Sequence, residues 1–537
     1  MFDQILNPVG AFGLTLLASL VPVLVLLFLL AVMRMTAWLA TLIAGIVTVI
    51  MGVTIWHAPL GNTMRAYWYG SLTGVWVINW ITAWGLIIFN TLVGTGDFER
   101  FRRWMVQQAT ADVRIQTVML AWAFGALLEG LVGFGYPWAV VTPILISLGI
   151  VDLEAIRVAA LANNAPVSYG ALGAPILALA AVTGLPLLRL SASVGDIVAL
   201  LALLPPWVLI FLVSGSKGLA EAWPLAIVGS LSYILGQWPV AHFLGPYLPD
   251  LSGALVSFWV LFGFVKIWKP KTIRGYGGVP VMAPLPRVAG TLTPEMELPS
   301  AWRAWMPYIV LIVVVVAWTG PWSHLPAYSL YKAQVGAISS VTHKPIASMF
   351  NFNPLSGGTS ILASWIVIAL ILRPSGKVLK ETFARTVRQM WGAWLVGFFI
   401  FGLAYAFVYT GMASSLAYGF SKVGTWFIVL APIVGWIGVA LSGSNTSTNA
   451  MFGPVQAVAG RLLNFPLLIL PSLNSVGAEV GKPVAPQTCS VGVATSRFVR
   501  SEGQVIRHNM AWTLIILAYL IGIGLLFYFV FPGAMRM

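Results

Sequence analysis

Charge is what this chain has least of. Only 8% of its 537 residues are charged, where soluble domains carry roughly 25%. So few charges cannot coat a water-soluble protein of this length, which excludes a soluble enzyme, a secreted scaffold and a disordered chain. Cysteine is nearly absent. The single Cys489 rules out an internal disulfide and leaves nothing for a cysteine-ligated metal or iron–sulfur centre. Five histidines lie at the ends of apolar runs or between them, with no pair at metal-ligand spacing, so neither metal nor cofactor is expected. Acids are also scarce: 15 Asp and Glu stand against 29 Lys and Arg, for a net charge of +14. The basic residues sit in short stretches between apolar runs. That fits the positive-inside bias of membrane proteins, and no nucleic-acid partner is expected. Asp3 stands where a signal peptide would carry a basic patch, and the run 12–33 is long enough to remain as a span.

What the chain has in quantity is hydrophobic residues, 59% of the total. A helix needs about 20 mostly apolar residues to cross the hydrocarbon core. Ten runs qualify or nearly do, near 12–33, 36–56, 71–95, 197–214, 223–243, 251–266, 304–319, 359–372, 389–410 and 511–531. They are continuously apolar, without the two-residue alternation of a barrel strand. Twenty-four Trp fit interfacial belts. Basic clusters at 100–114, 266–303, 373–388 and 497–507 orient the chain if all four face the cytoplasm. Both termini then lie outside, in a cell membrane. Residues 1–266 and 303–537 form two membrane halves. The Pro- and Gly-rich stretch 267–302 reads as a plain cytoplasmic linker, and 320–358 as an outside loop.

Four further apolar stretches are interrupted by Gly, Pro and polar residues. Crossing parity resolves them into a re-entrant hairpin over 115–150 followed by a broken crossing over 155–182. In the second half, a hairpin over 425–470 is followed by a broken crossing over 473–496, entered from the opposite side. Pro137 and Pro454 have the same separation as Pro166 and Pro483. The expected fold is therefore an all-α polytopic membrane protein of about twelve transmembrane helices plus two re-entrant hairpins in an inverted-repeat arrangement. Transporters build midplane sites from broken helices in this way.

The breaks carry unusual residues for a bilayer. Glu129 is an acid at an otherwise apolar helix end, and intramembrane acids mark proton or ion pathways. Six of the eight residues in 442–449 are hydroxyl or amide side chains, too dense a run to serve only their own helix carbonyls. Ser444, Asn445, Thr446, Ser447 and Asn449 are candidate substrate contacts. Asn163, Asn164 and Ser168 flank Pro166 in the first broken crossing, and Gln487 ends the second. Lys482 can neutralise a carboxylate directly or pair with Glu479 three residues earlier. Half-helix N-termini add unpaired N–H groups and partial positive charge suited to a carboxylate.

These segments resemble the lactate permease family, whose members move L-lactate and glycolate with protons. The resemblance rests on FGALLEGLVGFGYP at 124–137, Asn164-Ala165-Pro166 and GSNTSTN at 443–449. The order and spacing of the apolar runs and the linker extend it over most of the chain. It implies a proton symporter for small 2-hydroxy monocarboxylates, L-lactate and possibly D-lactate and glycolate, driven by the proton gradient and not an enzyme. Its partners would be the substrate and the lipid bilayer. The family's second tip usually carries an acid where this chain has Asn445, so proton coupling here falls to Glu129 or Glu479. A sodium-coupled carrier of another small organic anion uses the same architecture and stands as the alternative.

Overall fold

The computed structural model describes residues 1–108, 110–133, 135–281, 301–496 and 501–537. Most of the linker lies outside them, as do Arg287, Arg497, Arg500 and the side chain of Arg303. Among the described residues, eight helical segments are long and apolar enough to cross a membrane, or nine with one bent pair counted as a span. They include Phe12–Ala31, Ala37–Thr54, Leu60–Gly94, Pro249–Ile267, Gly376–Thr410 and Glu502–Phe529. The 57-residue stretch Leu187–Phe243 also counts as one. It covers two of the expected runs. The first does not end as one helix: Leu187–Leu201 turns at 202–204, and Pro205–Phe243 then breaks between Gly215 and Ala222.

Several helices run on past their apolar windows. Gly376–Thr410 takes in most of the third basic cluster, so those residues ride on helix turns. Ser375 starts it by accepting the Val378 N–H. Arg100, Arg102 and Arg103 of the first basic cluster likewise lie on a helix, Asp97–Gln108. Its ion pairs Arg100–Asp97, Arg102–Glu99 and Arg103–Glu99 fall at three- and four-residue spacing, which supports a polar surface helix.

The stretch 320–358, expected as an outside loop, holds strands, which corrects the all-α expectation. Tyr331–Ile338 and Pro345–Phe352 pair antiparallel, and Phe2–Asp3 adds a parallel strand at Ala337 and Ile338. Val335 and Ala337 are buried while their neighbours are not. That two-residue period is invisible to a search for long apolar runs. Gln4 fastens the sheet to the end of Gly376–Thr410, its amide donating to the carbonyls of Val408 and Tyr409.

The described start of the linker is also more than a spacer. Arg274 bonds Glu221 through two nitrogens and donates to the Gly278 carbonyl. Arg114, fully buried, pairs with Asp112 at 2.6 Å and Glu221 at 3.2 Å. Glu221 lies in the polar turn 215–222, outside the apolar arms, where its bonds to Arg274 above all hold the carboxyl down at about 2.

The four interrupted stretches fold as short helices joined by tight breaks. The first hairpin runs through a π-helical stretch, Thr117–Ala123, to Phe124–Leu131 and returns as Tyr136–Ser147. Its tip needs left-handed backbone at Gly133 and Gly135. The returning arm, at 12 residues, is only about 18 Å long against a core of about 30 Å. Asp152–Ala162 and Val167–Thr183 follow, bent by 65°. The second hairpin pairs Phe427–Ser442 with Asn445–Leu462 about a left-handed Gly443. Then come Ile469–Gly481 and Pro486–Val493, separated by a short tight turn.

Candidate functional site

All four interrupted segments converge on one cavity of about 610 Å³. Glu129 and Gly133 come from the first hairpin and Gly170, Ala171 and Pro175 from the first broken helix. Residues 442–447 come from the second tip, and Lys482, Gln487 and Thr488 from the second broken helix. The facing wall belongs to other helices, with Leu26, Trp38, Thr41, Asn79, Gln389 and Trp391 among its residues. Sequence reasoning missed this wall, because its polar residues lie inside ordinary apolar runs. Their hydrogen bonds also stay within the wall: Asn79 donates to the Trp394 carbonyl and Thr41 to the Ala37 carbonyl.

The centre of the polar wall is an ion pair. Lys482 Nζ lies 2.7 Å from Glu129 Oε1, with the two side chains 8% and 2% exposed. The partners expected for Lys482 were a substrate carboxylate or Glu479; it pairs instead with Glu129, from the other half. Asn163 Nδ2 donates to the second Glu129 oxygen at 3.0 Å. Gly170 makes room for this carboxylate, since a Cβ there would stand 2.6 Å from Glu129 Oε1. The next three residues, Ala171, Leu172 and Gly173, all have positive φ. Left-handed backbone costs a residue with a Cβ about 1–2 kcal/mol, and here it places Ala171 in the cavity wall.

Glu479 stands behind the wall. Its Oε2 accepts from the Ser168 N–H at 3.2 Å and from the Ser168 hydroxyl, joining the two broken helices. Asn449 joins the second hairpin to the first broken helix by donating to the Pro175 carbonyl and to Ser475 Oγ, both at 3.0 Å. Asn474 donates back to Asn449. Ser168, Asn449, Glu479 and Asn163 thus tie the site together from outside the cavity, where Asn164 also lies, whereas Glu129, Ser444, Asn445, Thr446, Ser447, Lys482 and Gln487 line it. Asn164 is wholly buried, and neither amide atom has a partner among the described residues.

The second tip presents a helix start to the cavity. Ser444 Oγ accepts the Ser447 N–H as N-cap, while Asn445 and Thr446 begin the helix with N–H groups that no helical carbonyl can reach. Asn445 Nδ2 donates to the Ser475 carbonyl at 3.2 Å, leaving its Oδ1 unpartnered. One cation, several hydroxyls and amides, and free N–H groups make a wall suited to a small carboxylate. No group of histidines, cysteines and acids able to hold a metal occurs among the described residues.

Comparison with known proteins decides the family. The model of the L-lactate permease family matches residues 15–531. The chain belongs to the L-lactate permease family. A glycolate permease of Escherichia coli K12 is 32% identical over 99% of both chains. L-lactate permeases of Bacillus subtilis and Escherichia coli K12 are 30% and 28% identical, each over 96% of both chains. As a permease of this family the protein is a multi-pass membrane transporter and not an enzyme, and its interrupted segments form one wall of the cavity just described.

Proposed function

We propose that the protein imports small 2-hydroxy monocarboxylates, L-lactate or glycolate, with one proton each across the cell membrane. The observation that carries this reading is the buried Lys482–Glu129 pair in the cavity wall. The substrate carboxylate takes the place of Glu129 at the Lys482 ammonium, and Glu129 accepts a proton as it lets go. Ser444, Asn445, Thr446, Ser447 and Gln487 receive the remaining carboxylate oxygen and the 2-hydroxyl.

Charge balance supplies the coupling. The empty site is neutral, with one cation against one carboxylate. Substrate without a proton leaves a net charge of −1 in a low-dielectric interior, which is costly. Substrate with a proton restores neutrality. Only the empty and the doubly loaded forms then cross easily, which is symport. In this reading the two hairpins and two broken helices form an inverted pair, moving as a unit against the facing wall. Twelve crossings put both termini outside and the linker inside.

The test is accumulation of labelled L-lactate in proteoliposomes under a proton gradient and, separately, a sodium gradient. Accumulation under the proton gradient alone is expected. Accumulation only with sodium would overturn proton coupling in favour of a sodium-driven carrier.

A further inference from the structure

Behind the first hairpin tip lies a second buried polar cluster that the scheme above does not use. Asp250, in the first turn of Pro249–Ile267, is 1% exposed. Its Oδ1 accepts the Tyr233 hydroxyl at 2.9 Å, and its Oδ2 has no partner among the described residues. Gln237, one turn beyond Tyr233, is wholly buried with both amide atoms unpartnered. Two glycines let these groups pack closely together. A Cβ on Gly253 would stand 2.8 Å from the Tyr233 ring and 3.1 Å from Gln237 Cβ. One on Gly195 would stand 3.0 Å from the Tyr169 hydroxyl and 3.5 Å from Gln237 Nε2.

The cluster connects at both ends. Next to Gly195, Asp196 is part-exposed and bonded to His242 at 3.2 Å and to Trp238. At the other end Gly130, beside Glu129, packs so closely on Asp250 that a Cβ there would fall 2.7 Å from Asp250 Cβ. Tyr169 directly follows Ser168, the residue that holds Glu479. The charged and titratable groups facing Asp250 are therefore Tyr233, Tyr169, Glu129, Glu479 and Lys482.

Buried polar atoms without partners are uncommon and each asks for an explanation. The Asp250 Oδ2 and the two Gln237 amide atoms are three such groups in one neighbourhood, the kind of polar partners an ordered water takes. A buried carboxyl, a phenol and an amide that lead toward a partly exposed acid–histidine pair have the composition of a proton path. We infer that Asp250 is the residue that loads the transported proton. The inference rests on the proton-coupled reading above. Asp250 passes its proton to Glu129, beside Gly130, as the substrate takes Lys482, while Gln237 lies on the side from which Asp250 is reprotonated. The Asp250 carboxylate left behind is held by the Tyr233 hydroxyl until it is reprotonated by way of Asp196 and His242.

The test compares Asp250→Asn and Tyr233→Phe with wild type in proteoliposomes. Two rates are read: exchange of labelled for unlabelled L-lactate at equal pH, which needs no net proton transfer, and accumulation under a proton gradient. Asp250→Asn is expected to slow accumulation at least tenfold while exchange changes less than threefold. Tyr233→Phe, which removes only the phenol O–H, is expected to slow accumulation two- to fivefold. Equal loss of both rates in monodisperse Asp250→Asn protein would make Asp250 a structural residue and overturn the inference, as would unchanged accumulation. If Asp250→Asn fails to fold, unchanged accumulation in Tyr233→Phe overturns it. Wild type that accumulates nothing under a proton gradient would instead refute the coupling reading itself.

Discussion

Removing the ammonium of Lys482 tests the proposed site most directly. At 2.7 Å from Glu129, with an effective dielectric constant of about 20, the attraction is about 6 kcal/mol. Breaking a buried pair by deleting one partner costs about 3–5 kcal/mol, because the other charge stays buried alone. Lys482→Met leaves Glu129 with only the Asn163 amide, so its folded state should lose stability of that order. If the substrate carboxylate sits where Glu129 does, affinity should fall by at least about 3 kcal/mol, roughly 150-fold. Glu129→Gln predicts the opposite. Its amide mimics the protonated acid, frees Lys482, and should bind L-lactate at pH 8 at least tenfold more tightly than wild type. Wild-type affinity should weaken up to tenfold per pH unit, about 1.4 kcal/mol, and Glu129→Gln should flatten that slope and abolish accumulation. The double variant Lys482→Met/Glu129→Gln buries no lone charge and should regain thermal stability without regaining binding. Calorimetric titration of L-lactate between pH 5.5 and 8.5 reads all of this. Binding by Lys482→Met within threefold of wild type would refute the argument.

Other consequences are simpler to state. Gly170→Ala pushes a methyl group against Glu129 Oε1, and transport should fall more than tenfold in protein of normal yield; unchanged uptake kinetics would contradict the packing. Asn445→Asp removes the donor to the Ser475 carbonyl and adds negative charge beside the anion site. A lost buried partner costs about 1–3 kcal/mol of folding stability, so thermal stability should fall by that order, and L-lactate affinity should also drop in the same titration. At the linker, Glu221 has its pKa lowered from 4.5 to about 2. A depressed acid stabilises the fold above its unfolded value and loses that contribution as pH falls toward the folded one. The Arg274 clamp should therefore hold from pH 8 to 5 and loosen between about 4.5 and 2. Pepsin cleavage within 270–281 should rise across that interval; equal cleavage at pH 4.5 and 2 would oppose the assignment.

Much of the membrane architecture was legible in the sequence, because long apolar runs have few alternatives in a bilayer. The interruptions were legible for the same reason: Gly, Pro, Asn and Glu129 have no bland role at that depth. Helix ends were less so, since helices such as Gly376–Thr410 continue past their apolar runs on ordinary propensity. The sheet at Tyr331–Phe352 escaped because its period is two and its length is short. At the site, residue types singled out the right segments but not the partners. Lys482 had an acid three residues away and took one from the other half. Asp250 carried no signal, since an acid after a helix-starting proline is common on chemical grounds alone. Its burial depends on Tyr233 and Gly130, which only tertiary structure brings to it.

The ion pair also sets a timetable for making the protein. Glu129 and Lys482 are 353 residues apart, and ribosomes add about 5–20 residues per second. About 20–70 s therefore pass in which the first half is in or near the bilayer with its acid and no cation to meet it. An ionisable residue at membrane depth costs about 2.5–3.5 kcal/mol on translocon-derived scales. The first hairpin is thus expected to wait at the membrane surface or in a chaperone's keeping, and to enter only when the second half arrives. A truncated chain lacking residues 473–496 would then fail to leave a half-built proton path in the membrane, and biogenesis itself guards the gradient on which the finished transporter would draw.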